Sequence, residues 1–248
     1  MDELTHKLGR YTAARVGLTR AGSAISTRDQ LSFQLDHARA RDAVHESVDF
    51  TSLLAGLRKR EIQPIMLESA IFGADARSIY LRRPDLGRQL SPQSSAELAT
   101  LDLSPDLVVI IADGLSALAI DRHALPLLDA LRALSGEWQR APVCVVRNGR
   151  VAIGDEIGGI LKASVSVLLI GERPGLTAPD SLGVYLTWQP RPGRTDAERN
   201  CISNIRLEGL AHDEAARRIS SYINAARTLQ STGFALKEPP SPNLPAIG

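Results

Sequence analysis

The 248-residue sequence predicts an α/β chain: a helical N-terminal region, then a parallel sheet with helices on both faces. Three observations carry the prediction. Leu107–Ala112 and Val165–Gly171 are runs dominated by apolar residues, the pattern of strands buried on both sides. Each run stops at a glycine and a carboxylate, in Asp113-Gly114 and Gly171-Glu172, at the strand end where open α/β sheets hold ligands. From about residue 100, strand-like runs alternate with stretches of helical period, as βα units do. The expected architecture is Rossmann-like over residues 96–237, preceded by a helical region over 1–95 and followed by a Pro-rich tail over 238–248.

Each element has its own warrant. Ser26 or Thr27 can cap a helix over 28–44, with Leu31, Leu35 and Ala38 at helical spacing and Phe33 broadening the stripe. Residues 46–60 form a second, weaker helix. Pro84 and Gly87 interrupt the pattern across Ile79–Leu90, which reads as an ordered loop with three Arg. The polar Ser91-Pro-Gln-Ser-Ser marks a seam between two domains. Beyond it lie a strand at 107–112, a helix at 115–135 and a strand at 142–147. The Asn148-Gly149 turn leads to Val151 on a strand edge and a helix over about 155–162. Strands at 165–171 and 184–188 follow. A helix over 212–231 carries the stripe Ala215, Ile219, Ile223 and Ala226. The tail from Glu238 is Pro-rich and is expected to be extended or disordered.

Composition narrows the function classes. A net charge of +1 gives no polyelectrolyte signal for nucleic acid. The longest unbroken apolar run, Leu107–Ala112, is far short of the roughly 20 residues that cross a bilayer, and the first residues have no signal-peptide core. Two cysteines, Cys144 and Cys201, make neither a disulfide framework nor a zinc module, which points to a reducing, cytoplasmic setting. Arg outnumbers Lys 25 to 4. Genomic base composition is one source of that bias; the planar donor fork of Arg at an interface is another. Residues 10–41 carry six Arg against two Asp, a local excess that fits a docking surface.

Four places could carry chemistry. Asp113-Gly-Leu-Ser116 is either a tight turn in which Ser116 caps a helix or a set of N–H groups facing an acceptor-rich ligand such as a phosphate. Ser116 lacks the Gly-x-Ser-x-Gly elbow of a hydrolase nucleophile. In Gly171-Glu172-Arg173-Pro174-Gly175, the proline and glycine would hold Glu172 beyond the strand end, free for ligand donors or paired with an Arg. Cys201, flanked by Asn200, Ser203 and Asn204, reads as a ligand rim or as a small hydrophobe, with no neighbour in sequence to make it a thiolate. Of the five histidines, His6, His37, His45, His123 and His212, no two have metal-ligand spacing.

Six segments, in order, resemble one family: the small (light) subunit of ethanolamine ammonia-lyase. They are Arg15–Gly22, Tyr80–Arg88, Asp113–Ser116, Asn148–Val151 with Asp155–Gly158, Gly171–Leu176 and Cys201–Ile205. The resemblance spans about residues 10–230. It implies an adenosylcobalamin enzyme in which a large subunit, a β/α barrel, binds ethanolamine and performs most of the radical conversion to acetaldehyde and ammonia. The small subunit would cover the cofactor from its lower-base side, through Val151, Glu172 and Cys201, with no catalytic residue and no metal ligand of its own. Relatives packaged in bacterial microcompartments carry an N-terminal extension; here the match begins almost at once, so the cytoplasm is the expected setting. Asp121-Arg-His123-Ala-Leu-Pro126 is close to the Asp-x-His-x-x-Gly pattern that gives cobalt a histidine, but Pro126 replaces the glycine and the segment falls inside an expected helix. The cofactor is therefore expected base-on. Two other classes stay open: a free-standing nucleotide or cofactor binding module of the same fold, and an independent Ser-dependent hydrolase.

Overall fold

A computed structural model describes residues 20–73 and 75–236. The Pro-rich tail, His6 and most of Arg15–Gly22 lie outside the described residues. A six-stranded sheet organises the chain: β1 (Ile65–Glu68), β2 (Leu107–Ala112), β3 (Val143–Arg147), β4 (Val165–Gly171), β5 (Leu182–Trp188) and β6 (Asn200–Ile205), in the order β1-β3-β2-β4-β5-β6. The first four are parallel. β5 and β6 are antiparallel to their neighbours, so the sheet is mixed where the sequence led us to expect a parallel one. The cause is the link after β4: residues 172–181 form a turn instead of a crossover helix, and only a crossover returns a strand parallel.

Helices cover both faces. On one face, Val109, Ile111, Val145, Val167 and Leu169 pack against α2 (Phe50–Lys59), α6 (Leu125–Leu134) and α9 (His212–Leu229). On the other, Val108, Ile110, Val146, Leu168 and Ile170 pack against α4 (Pro92–Ala99) and α8 (Ile153–Ile160). The alternation of side chains along β2–β4 produces these two cores.

Several expectations for the first hundred residues need correction. α1 (Thr27–His45) forms as expected: Ser26 caps it by accepting from the N–H of Asp29. Its apolar stripe is not buried. Leu31, Phe33 and Leu35 are 60%, 45% and 52% exposed, and Ala43 is the one buried residue of the helix. The Ile79–Leu90 loop is instead α3 (Ala76–Arg82) followed by a 3₁₀ turn at Leu86–Arg88. Ser91 is the N-cap of α4 and Pro92 stands in its first turn. β1 pairs with β3, so the sheet extends into the region placed before residue 96.

The helix expected at 115–135 is three pieces: α5 (Ala117–Ala119), a π turn (Ile120–Ala124) and α6. Pro126 has no N–H for the carbonyl four residues back, and the helix widens there. α7 (Gly136–Arg140) precedes β3. Val151 is not on a strand edge; it lies in the turn that enters α8. Asp155 of α8 and Arg199 form a buried ion pair, with Asp196 on the same guanidinium, which fixes α8 beside the start of β6. Among the described residues no helix is long and apolar enough to cross a membrane.

Candidate functional site

The carboxyl ends of the parallel strands are tied together by one carboxylate. Asp113, buried at the end of β2, accepts from the N–H groups of Gly114, Asn148 and Gly149, each at 3.0 Å. Burial pushes its pKa up to about 6, against those three donors and the charge of Arg77. Gly114 is at φ +64°, and a Cβ there would overlap the Gly171 carbonyl. The turns after β2 and β4 therefore touch backbone to backbone, a contact that only glycine permits. The N–H of Leu115 donates to the Gly171 carbonyl at 2.9 Å, and that of Ala119 to Ser116 Oγ at 3.1 Å. These donors are committed internally, so the turn is not the phosphate cradle considered above. Ser116 donates to the Pro179 carbonyl at 2.7 Å and caps the helix; no base stands beside it.

Val151 is braced from below. Tyr80, fully buried on α3, donates to the Gly149 carbonyl at 3.1 Å. The Arg150 guanidinium lies 4.0 Å over the Tyr80 ring, and its backbone N–H donates to the Gly87 carbonyl at 2.7 Å. Val151 is half-buried against the core under α8. The same face of the sheet continues past α8 to Tyr185 of β5, half-buried, and Cys201 of β6, exposed. These two residues are cross-strand partners. β6 is irregular: Ile202 and Ile205 are buried, while Cys201 and the consecutive Ser203 and Asn204 are exposed, with Asn204 at φ +60°.

Glu172 closes this surface. Its Oε1 accepts from Ser203 Oγ at 2.7 Å; its Oε2 accepts from Ser181 Oγ and from the Asn204 N–H at 3.2 Å. Its partners are hydroxyls and an amide, not the Arg considered as an alternative. A Cβ at Gly183 would sit 2.9 Å from Glu172 Cγ, so a glycine on β5 makes the space in which the carboxylate lies. Two oxygens offer about four acceptor sites, and three are used here, which leaves one for a further donor. Although Cys201 as a residue is exposed, desolvation of its sulfur against the sheet, first, and then the Glu172 charge raise the thiol above its ordinary range, against a hydrogen bond with Tyr185. A raised thiol ionises less readily, which disfavours a nucleophile's role. Cys144, the other thiol, is buried and pushed up to about 12 by desolvation.

The structure brings Glu172 together with Ser203 and the Asn204 backbone, and sets Tyr185 beside Cys201. Asn200 is not part of the rim: its side chain bonds Gly233 and Leu236. Sequence reasoning missed Ser181 and Tyr185. The period-two alternation of β5 would have placed Tyr185 outward, but Ser181 meets Glu172 only through the fold. His123 is buried on the opposite side of the sheet, on the π turn whose Ile120 and Ala124 pack in the other core. A cleft of about 490 Å³, lined by Arg39, Asp42, Glu46, Arg122 and Pro179, also lies beside that π turn and away from Cys201. Among the described residues no group of three or more His, Cys, Asp or Glu could hold a metal ion.

Comparison with known proteins gives a concordant result. The family model for ethanolamine ammonia-lyase light chain (EutC) matches residues 2–237. The chain is 51% identical to the ethanolamine ammonia-lyase small subunit of Pseudomonas paraeruginosa, over 93% of this chain and 86% of that one. It is 50% identical to the small subunit of Pseudomonas fluorescens, over 94% and 86%, and 48% identical to that of Azotobacter vinelandii, over 94% and 87%. The protein belongs to the ethanolamine ammonia-lyase light chain family.

Proposed function

We propose that this chain is the small subunit of an adenosylcobalamin-dependent ethanolamine ammonia-lyase, and that its open sheet face beyond α8 holds the cofactor. The observation that carries the reading is Glu172: a carboxylate seated over Gly183, oriented by two hydroxyls and an amide, with an acceptor site to spare on an uncovered surface. The residues fit the group. A corrin is a broad ring edged with amide side chains, and such amides donate to a carboxylate. Val151 supplies apolar surface at one border, and Cys201 a small neutral side chain at the other. When bound, the cofactor supplies a cobalt–carbon bond whose homolysis starts the radical rearrangement. This chain orients and shields; among the described residues no set of acid and base groups converges on this surface. Ethanolamine and the chemistry belong to the large subunit.

Cobalamin would then keep its own benzimidazole on cobalt, because no described histidine is placed to replace it. His123 is turned away from the site, and His212, which it meets, lies on α9 across the sheet. His37 and His45 are exposed on α1. α1 presents Leu31, Phe33 and Leu35 outward in an Arg-rich segment, and we assign it to docking on the large subunit. The cytoplasm remains the proposed compartment.

Co-expression with the large subunit tests the reading. The complex should release ammonia from ethanolamine only with adenosylcobalamin, and the isolated chain should release none. Turnover by the isolated chain with cofactor would defeat the proposal.

A further inference from the structure

His123 belongs to no part of the site described above, yet it is one of the best-anchored polar groups in the fold. It is 2% exposed. Its Nε2 lies 3.3 Å from Asp180 Oδ2 and its Nδ1 lies 3.2 Å from His212 Nε2. Arg122 donates to the same Asp180 oxygen at 2.9 Å. The π turn just before Pro126 carries both Arg122 and His123, and both meet this carboxylate.

Asp180 is next in sequence to Ser181, whose hydroxyl holds Glu172. The 172–181 turn is closed at its base by the Glu172 N–H donating to the Ser181 carbonyl at 2.9 Å. Its far end is pinned at two adjacent residues: Pro179, by Ser116, and Asp180, by Arg122 and His123. Ser181 thus stands between an anchor on one face of the sheet and the carboxylate on the other. The carboxylate's orientation depends on where Ser181 is held.

We infer that His123 is a positioning residue for Glu172: through Asp180 it fixes Ser181 and so sets the carboxylate toward the cofactor. This rests on the proposed role of Glu172. His212 completes the device by bonding the second ring nitrogen, which fixes the imidazole plane as a second partner fixes a metal-bound histidine. The device acts on affinity and not on the chemical step, because no atom of it reaches the cofactor face.

The test is a coupling measurement in the assembled two-subunit enzyme, with adenosylcobalamin titrated and turnover at saturating cofactor recorded. His123→Ala should raise the half-saturating cofactor concentration about three- to tenfold, the worth of roughly one oriented hydrogen bond, with turnover at saturation within about twofold. His123→Gln, which keeps a donor near the Nε2 position, should recover most of the loss. In a Glu172→Ala background, His123→Ala should change the titration no further, because the group it positions is gone. A merely structural role would give losses that add. Additive losses, an unchanged titration for His123→Ala alone, or a fall in saturated turnover without a change in affinity would each overturn the inference. Should His123→Ala fail to assemble, Asp180→Asn takes its place with the same expected and contrary outcomes. If Glu172→Ala alone leaves the titration unchanged, the Glu172 reading fails first, and this one with it.

Discussion

At the residue scale the site is an argument about where polar groups are spent. Asp113 and Ser116 resemble a ligand-facing pair at a strand end, but their hydrogen bonds go to backbone groups of three turns. Ser116→Ala should therefore lower stability by about 1 kcal/mol through the lost helix cap, and leave ammonia release by the complex intact. Thermal unfolding and turnover, measured together, check this; loss of turnover without loss of stability would restore a chemical role to the serine. Glu172 is the opposite case. Its turn chemistry was legible, because Pro174 and Gly175 mark a tight turn just past a strand that could only be buried. The hydroxyl of Ser181 was not legible, because it acts across a turn that closes only in the folded chain. Val151 was legible only by resemblance: a half-buried valine in a turn has no sequence signature of its own.

Among elements, those buried on both faces were read almost to the residue. β2 and β4 fall at 107–112 and 165–171 because a parallel central strand must be apolar throughout. Edge strands escaped. β1 is four residues long, and β6 is mostly polar with its two isoleucines not at period-two spacing, so neither has a continuous apolar run. The missing crossover after β4 hid the change to antiparallel pairing. α1 was legible as a helix, but its stripe faces outward and not into the core. On the proposed reading these exposed side chains dock, Leu31 and Leu35 from one side of the helix and Phe33 from the other. Replacing Leu31, Phe33 and Leu35 with Gln should leave the isolated chain folded by circular dichroism, since none is buried. The same change should weaken assembly with the large subunit on size-exclusion chromatography. A full complex at unchanged concentration dependence would remove α1 from the interface.

For the whole molecule, helices pack on both faces of a two-core sheet, and on the Ile110 face they stop short of β5 and β6. On the proposed reading, the uncovered part bordered by α8 and β6 is where the cofactor would lie. The four described histidines lie elsewhere, so none of them is placed to displace the cofactor's own base from cobalt. Electron paramagnetic resonance of the reduced cob(II)alamin complex, with nitrogen-15 in the protein only, should show superhyperfine splitting unaltered by the label. A splitting that follows the protein label would mean a protein histidine on the metal. The most direct measurement of the account is an adenosylcobalamin titration of the two-subunit enzyme carrying Glu172→Ala. A charge-assisted hydrogen bond is worth roughly 1.5–3 kcal/mol, so the half-saturating concentration should rise about ten- to a hundredfold, with turnover at saturation little changed. A titration identical to that of the unsubstituted enzyme would contradict the placement of the cofactor on this face.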